Sequence, residues 1–258
     1  MVLVVSGSGT GLFGGFGRGM NLPVAGACSS PRHSGAHGHR AAAAAGRRGG
    51  CVYGGRVRRV PWWGVWPAVC APVLLVGGWM VAAALQPTPF SQVADTISAL
   101  AAYGAADRWV MTVALFGVGA CYVLTGLALR PAAMPGRLVL MAGGAATALV
   151  AANPQTAGQA GSLPHTLAAA AGFVTLALWP LPGRRTEPAA PVLLRPAACA
   201  SASVVLLALL VWFGVELSTG GALIGLSERM LAGAQALWPL AVIVACYRSQ
   251  RRPRGAAR

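Results

Sequence analysis

Eight polar or ionisable residues stand out from an otherwise apolar chain: Asp95, Ser98, Asp107, Arg108, His165, Glu216, Glu228 and Arg229. Carboxylates, one imidazole and a hydroxyl are the groups of general acid–base work, with His165 as the base and a carboxylate orienting its ring. They are equally the groups of a polar binding pocket. Spacing does not single out a reaction. Ser98 and Ser162 lack the GxSxG turn that presents a serine nucleophile. A haem held between helices commonly takes two axial histidines, and His165 is the only histidine after residue 39. Catalytic zinc takes about three protein ligands, which one histidine and scattered carboxylates do not supply. Cys28, His33, His37 and His39 form a metal-like grouping, but in a low-complexity segment, so neither a metal nor a cofactor is expected. No phosphate-binding glycine motif follows a strand, because no strand is evident.

The elements that position these residues follow from composition. Of 258 residues, 56% are hydrophobic and 10% charged, with a mean hydropathy of +0.63. A soluble domain carries roughly a quarter charged residues, so an ordinary soluble enzyme is excluded. The 20 basic residues are all arginine and face five acids, a net charge of +15. In a soluble chain that balance would point to nucleic acid. Here the arginines cluster between apolar runs, so the expected partner is a lipid bilayer with an anionic surface, and no nucleic acid. The six cysteines show no CxxC spacing, which supports neither a disulfide frame nor a zinc site.

Six apolar stretches follow residue 60, near Pro67–Leu85, Trp109–Leu129, Leu138–Ala152, Thr166–Leu181, Ala197–Leu217 and Met230–Tyr247. Each approaches the roughly 17–25 residues that cross a bilayer. The third and fourth, at 15 and 16 residues, need neighbouring residues or a locally thinner bilayer. The expected fold is all-α: a polytopic membrane protein, a bundle of six transmembrane helices. Arginines 47, 48, 56, 58 and 59, then 130 and 137, then 184, 185 and 195, then 248 and four more at the C-terminus share one side. Opposite lie Arg108, Arg229 and four of the five acids. Short arginine-rich loops stay in the cytoplasm, so both termini are expected inside the cell (inner) membrane. Residues 1–57 read as a disordered Gly/Ala/Arg-rich tail, or as the product of an upstream start; they lack the basic n-region of a signal peptide. Residues 58–248 form the transmembrane domain, and 249–258 a basic cytoplasmic tail.

Local patterns add detail. Val93, Ile97 and Leu100 recur at helical spacing opposite Asp95 and Ser98, which predicts a short amphipathic helix over Ser91–Leu100 with Ser91 as its N-cap. The small residues of Ala142–Ala146 and Ala168–Gly172 predict close packing of the third and fourth helices. Trp62, Trp63, Trp66, Trp109 and Trp179 fall near expected membrane interfaces as anchors. Pro239 leaves the Gln235 carbonyl without its helical donor, where Gln235 and Trp238 could touch a ligand. Asp107, His165 and Glu228 each begin an even-numbered helix on the outer side. Asp107 and Glu228 would be cheap there, reaching water and complementing the helix dipole.

Trp79 through Trp109, with Ala84-Leu85-Gln86-Pro87, Asp95-Thr96-Ile97-Ser98-Ala99-Leu100 and Asp107-Arg108-Trp109, resembles a bacterial six-helix membrane family known as domain of unknown function 998. Pro164-His165, Ala177-Leu178-Trp179-Pro180, Trp212-Phe213-Gly214-Val215-Glu216-Leu217 and Glu228-Arg229 with Ala236-Leu237-Trp238-Pro239-Leu240 extend the likeness over about Arg58 to Arg248. The resemblance implies six membrane helices and no particular activity. Two readings of function follow. One is a binding, transport or structural protein whose outer mouth, made from the eight residues above, meets a small-molecule or lipid ligand. The other is a membrane-embedded hydrolase or transferase acting on a lipid.

Overall fold

Prolines set where several helices begin. Pro135, Pro164, Pro180 and Pro196 all stand at the first or second position of a helix, where a fixed φ and a missing N–H cost nothing. The computed structural model describes residues 59–155 and 162–251, all within one compact unit, residues 56–258. The helices are α1 (Val65–Ala84), α2 (Trp109–Ala128), α3 (Met134–Ala152), α4 (Leu163–Leu178), the short α5 (Pro180–Gly183), α6 (Pro196–Thr219) and α7 (Ile224–Arg251). No strand occurs among the described residues.

Counting the 3₁₀ turn Trp62–Gly64 with α1, and α5 with α4, six segments of 19 to 28 residues are long and apolar enough to cross a membrane. The chain is a multi-pass membrane protein. The two stretches that looked short reach 19 and 21 residues, because their N-terminal prolines start them a turn earlier and α5 carries the fourth on to Gly183. The last helix also starts earlier than its apolar run and takes Glu228 and Arg229 inside. At its other end it continues through Arg251, into the segment expected as tail.

Each span packs against the next in sequence, and α7 returns to α1, so the six close into a ring. The tightest seam is α2 against α3. A Cβ at Gly119 would sit 2.6 Å from the Gly144 carbonyl oxygen, so neither position admits a side chain. The expected α3–α4 seam also forms, with Gly143 under Leu176 and Gly172 beside Ala146. Across the ring, Gln235 Nε2 of α7 donates to the Phe173 carbonyl of α4 at 2.8 Å. Gly220 ends α6 in the left-handed conformation (φ 65°), and Gly221 N–H donates back to the Glu216 carbonyl at 2.8 Å.

The two ends of the bundle differ. At the arginine-rich end, Arg137 donates to the carbonyls of Gly126 and Leu127 at 2.8 and 2.9 Å, satisfying the last turn of α2. Arg185 donates to the carbonyls of Pro131 and Ala132 and pairs with Glu187 at 3.7 Å. Trp62, Trp66 and Trp109 are exposed as anchors should be. Trp179 corrects the expectation: it is fully buried, because the chain continues into α5 and presses Gly183 against Gly136 of α3.

Candidate functional site

The acid-bearing end is organised by the first turns of α7. Glu228 is 3% exposed. Its Oε2 accepts the Ile97 N–H and its Oε1 accepts the Ser98 hydroxyl at 3.3 Å. Arg229, also buried, donates through Nε to Gln92 Oε1 at 3.0 Å and through Nη1 to the carbonyls of Asp95 and Gly225 at 2.7 and 2.8 Å. Its guanidinium carbon lies 5.7 Å from the Trp79 ring centre and 5.5 Å from that of Phe90. Gly225 is required beneath this contact, because a Cβ there would fall 2.3 Å from the Asp95 carbonyl oxygen.

These bonds explain why Ser91–Leu100 is not the amphipathic helix that its spacing predicts. In a helix, Ile97 N–H would donate to the Val93 carbonyl. Instead Ile97 donates to Glu228, and the Val93 carbonyl accepts from Leu226 N–H at 2.9 Å. The Asp95 carbonyl is likewise diverted to Arg229. What remains is a run of turns and one 3₁₀ turn, Ser98–Ala101. Ser91 keeps a capping role, its Oγ accepting from Val93 and Ala94 N–H. The Asp95 carboxylate closes the same turn, accepting Ser91 N–H at 2.7 Å.

His165 sits in the first turn of α4. Its Nδ1 lies 2.9 Å from the Asn153 carbonyl at the end of α3. A carbonyl only accepts, so Nδ1 carries the proton, and Nε2 is the nitrogen that the ring can offer elsewhere. His165, Ser98 and Glu228 line one cavity of about 250 Å³ between α4, α6 and the first long loop. Thr96, Gln155 and Thr166 add polar groups, while Phe173, Leu210, Phe213 and Leu217 make the remainder apolar. Phe173 and Phe213 meet edge to face, with ring centres 5.4 Å apart. A smaller chamber of about 70 Å³ continues inward past Ser98, Ala169, Phe173 and Glu228 to Tyr122, Thr147 and Gln235 at the centre of the ring.

Five of the eight expected site residues lie outside both chambers. Asp107, exposed and at positive φ (47°), accepts from Trp109 Nε1 at 3.2 Å. Arg108 stacks on Tyr103. Glu216 accepts Trp212 Nε1 at 3.3 Å and Leu223 N–H at 3.1 Å, a local cap. Asp95 and Arg229 shape the loop. Of the Pro239 neighbours, Gln235 reaches the inner chamber, whereas Trp238 lines a separate apolar groove between α6 and α7. Sequence reasoning did not name Phe173, Phe213 or Gly214 as site residues: all three lie inside apolar runs, and Phe213 and Gly214 entered only through the family likeness. Thr96, Gln155 and Thr166 are polar residues without a pattern. The Cys28 and His33–His39 grouping lies outside the described residues, among which no three His, Cys, Asp or Glu side chains converge as a metal site.

With six spans and this end of the bundle established, the likeness noted in the sequence has a direct counterpart. The family model described as "Protein of unknown function (DUF998)" matches residues 68–245. The chain belongs to the DUF998 family. The match runs from the first turns of α1 almost to the end of α7, so it takes in the whole ring and both chambers. No curated protein and no solved structure matches the chain.

Proposed function

We propose that this DUF998 protein is a binding protein of the cell (inner) membrane, with both termini cytoplasmic, whose outward cavity takes the polar head of a small amphiphile. The observation that carries this reading is the cavity itself: Ser98, His165 and Glu228 at one end, phenyl and leucyl side chains along the rest. Its rim includes the exposed residues Thr166, Ala170, Gly214 and Leu217 on the facing sides of α4 and α6, two membrane-crossing helices. A volume of about 250 Å³ falls just under the roughly 300–1,000 Å³ of ordinary small-molecule sites. It suits a head group and the first part of a chain, with the remainder of the chain lying in lipid.

Gly214 supplies the test. A Cβ there meets nothing within 4 Å, so a larger side chain fits at this rim position without a clash. Gly214→Leu is expected to abolish complementation of a deletion strain while protein level and membrane insertion stay normal. Full complementation by this variant would remove the cavity from the function.

A second reading is favoured by one observation: Asn153 fixes the His165 tautomer in a cavity that also holds the Ser98 hydroxyl, the parts of a lipid hydrolase or transferase. Comparing the lipids of deletion and wild-type cells separates the two. A lipid class that accumulates in the deletion strain supports the enzyme, and an unchanged lipidome with altered uptake supports binding or transport.

A further inference from the structure

The cavity's charge is unusual for a buried site. Among the described residues, Glu228 is the only formally charged side chain on its wall, and it is almost wholly removed from solvent. Glu228 has no ion pair within 4 Å among the described residues, and Arg229, next in sequence, attracts it only from farther away. The Arg229 guanidinium donates to the Asp95 and Gly225 carbonyls, faces two aromatic rings and lines neither chamber. Burying a carboxylate without a directly paired cation costs several kcal/mol, which the hydrogen bonds from Ile97 and Ser98 and the attraction of Arg229 offset only in part. A carboxylate has about four lone-pair positions, and the Ile97 N–H and the Ser98 hydroxyl leave capacity for another donor.

We infer that the occupant is cationic: an alkylamine-type amphiphile whose ammonium group pairs with Glu228 while its chain leaves along Phe173, Phe213 and Leu217. This rests on the cavity reading above and names its substrate class. An ammonium places a cation directly against Glu228, and its three donors find acceptors in Glu228, Gln155 and Thr96. Anionic heads are disfavoured, because among the described residues no arginine lines the cavity and Glu228 would repel them. A bare divalent ion is disfavoured as well, since calcium takes six to eight oxygen ligands and the walls are mainly apolar.

The test uses the full chain in phosphatidylcholine nanodiscs, titrated calorimetrically with octylamine, octan-1-ol and octanoate against empty nanodiscs. Octylamine is expected to bind at least tenfold more tightly than the alcohol, and octanoate the most weakly. Glu228→Gln should reduce the amine-to-alcohol preference below threefold. Gly214→Leu should weaken all detectable binding at least tenfold. Equal amine and alcohol affinities, or an amine preference that survives Glu228→Gln, overturn the cationic occupant while Gly214-sensitive binding keeps the cavity. Binding that ignores Gly214→Leu, or no binding by any probe, overturns both. Because Glu228 also holds the loop, a Glu228→Gln chain that fails to fold is replaced by the native chain titrated with N-octylacetamide. A tenfold loss on neutralising the amine supports the inference, and unchanged affinity overturns it.

Discussion

The two ends of the bundle handle charge in opposite ways. At the arginine-rich end, side chains lie over helix ends and donate to carbonyls that the last turns leave open, and the ion pair Arg185–Glu187 is partly exposed. At the acid-bearing end, Glu228 and Arg229 are buried, form no ion pair within 4 Å of each other, and direct most of their hydrogen bonds to the first long loop. The first arrangement tolerates change because water and neighbouring arginines can substitute. In the second, each lost bond leaves a desolvated partner behind.

The largest effect separating the two ends is expected for Arg229→Ala. It removes charge-assisted bonds to Gln92, Asp95 and Gly225 together and should destabilise the fold by on the order of 3 kcal/mol or more. Thermal unfolding in detergent would show it, with faster proteolysis in the segment 86–108. Wild-type-like melting would mean that the loop is not held by this residue. Gly225→Ala forces a Cβ towards the Asp95 carbonyl and should cost about 1–3 kcal/mol with the same proteolytic signature. An unchanged cleavage rate would show that the loop gives way freely.

Smaller effects sharpen the contrast. His165→Ala should impair complementation at normal protein level, since it removes a cavity wall and the link to Asn153. Asp95→Asn should keep its turn, because an amide oxygen accepts the same Ser91 N–H, and should change stability by about 1 kcal/mol or less. If both variants fail alike in complementation, the carboxylate of Asp95 has a role beyond the turn. Glu187→Gln is the smallest, within about 1 kcal/mol by melting, as for other solvent-screened pairs. Orientation is checked separately: a cysteine introduced at Thr88 should react with an impermeant thiol reagent in intact cells, and one at Thr186 should not. The reverse pattern would place the cavity on the cytoplasmic side.

How much of this was legible in the sequence depends on how far apart the partners lie. Number, order and approximate ends of the six spans were readable, because a bilayer demands long apolar helices and each is a local run of residues. The division of charge between two ends was equally plain, since it is a count of arginines and acids per loop. His165 and Glu228 were named as candidates by type and helix-end position, and Ser98 as lying on the polar side of the expected loop helix; the fold brings these three to one wall. Asp107, Arg108 and Glu216 were named on the same grounds and went to local turns and stacking.

The sequence by itself determined a six-span membrane bundle with an arginine-rich end and an acid-bearing one, because hydropathy and charge act along short segments. Only the tertiary structure decided that Glu228 and Arg229 are buried and that Ser91–Leu100 is not a helix. Val93, Asp95 and Ile97 exchanged helical hydrogen bonds for partners on α7, with Glu228 131 residues from Ile97 in the chain. The cavity has the same origin. It exists where α4, α6 and α7 meet the loop, and no local pattern encodes a space enclosed by four separate segments.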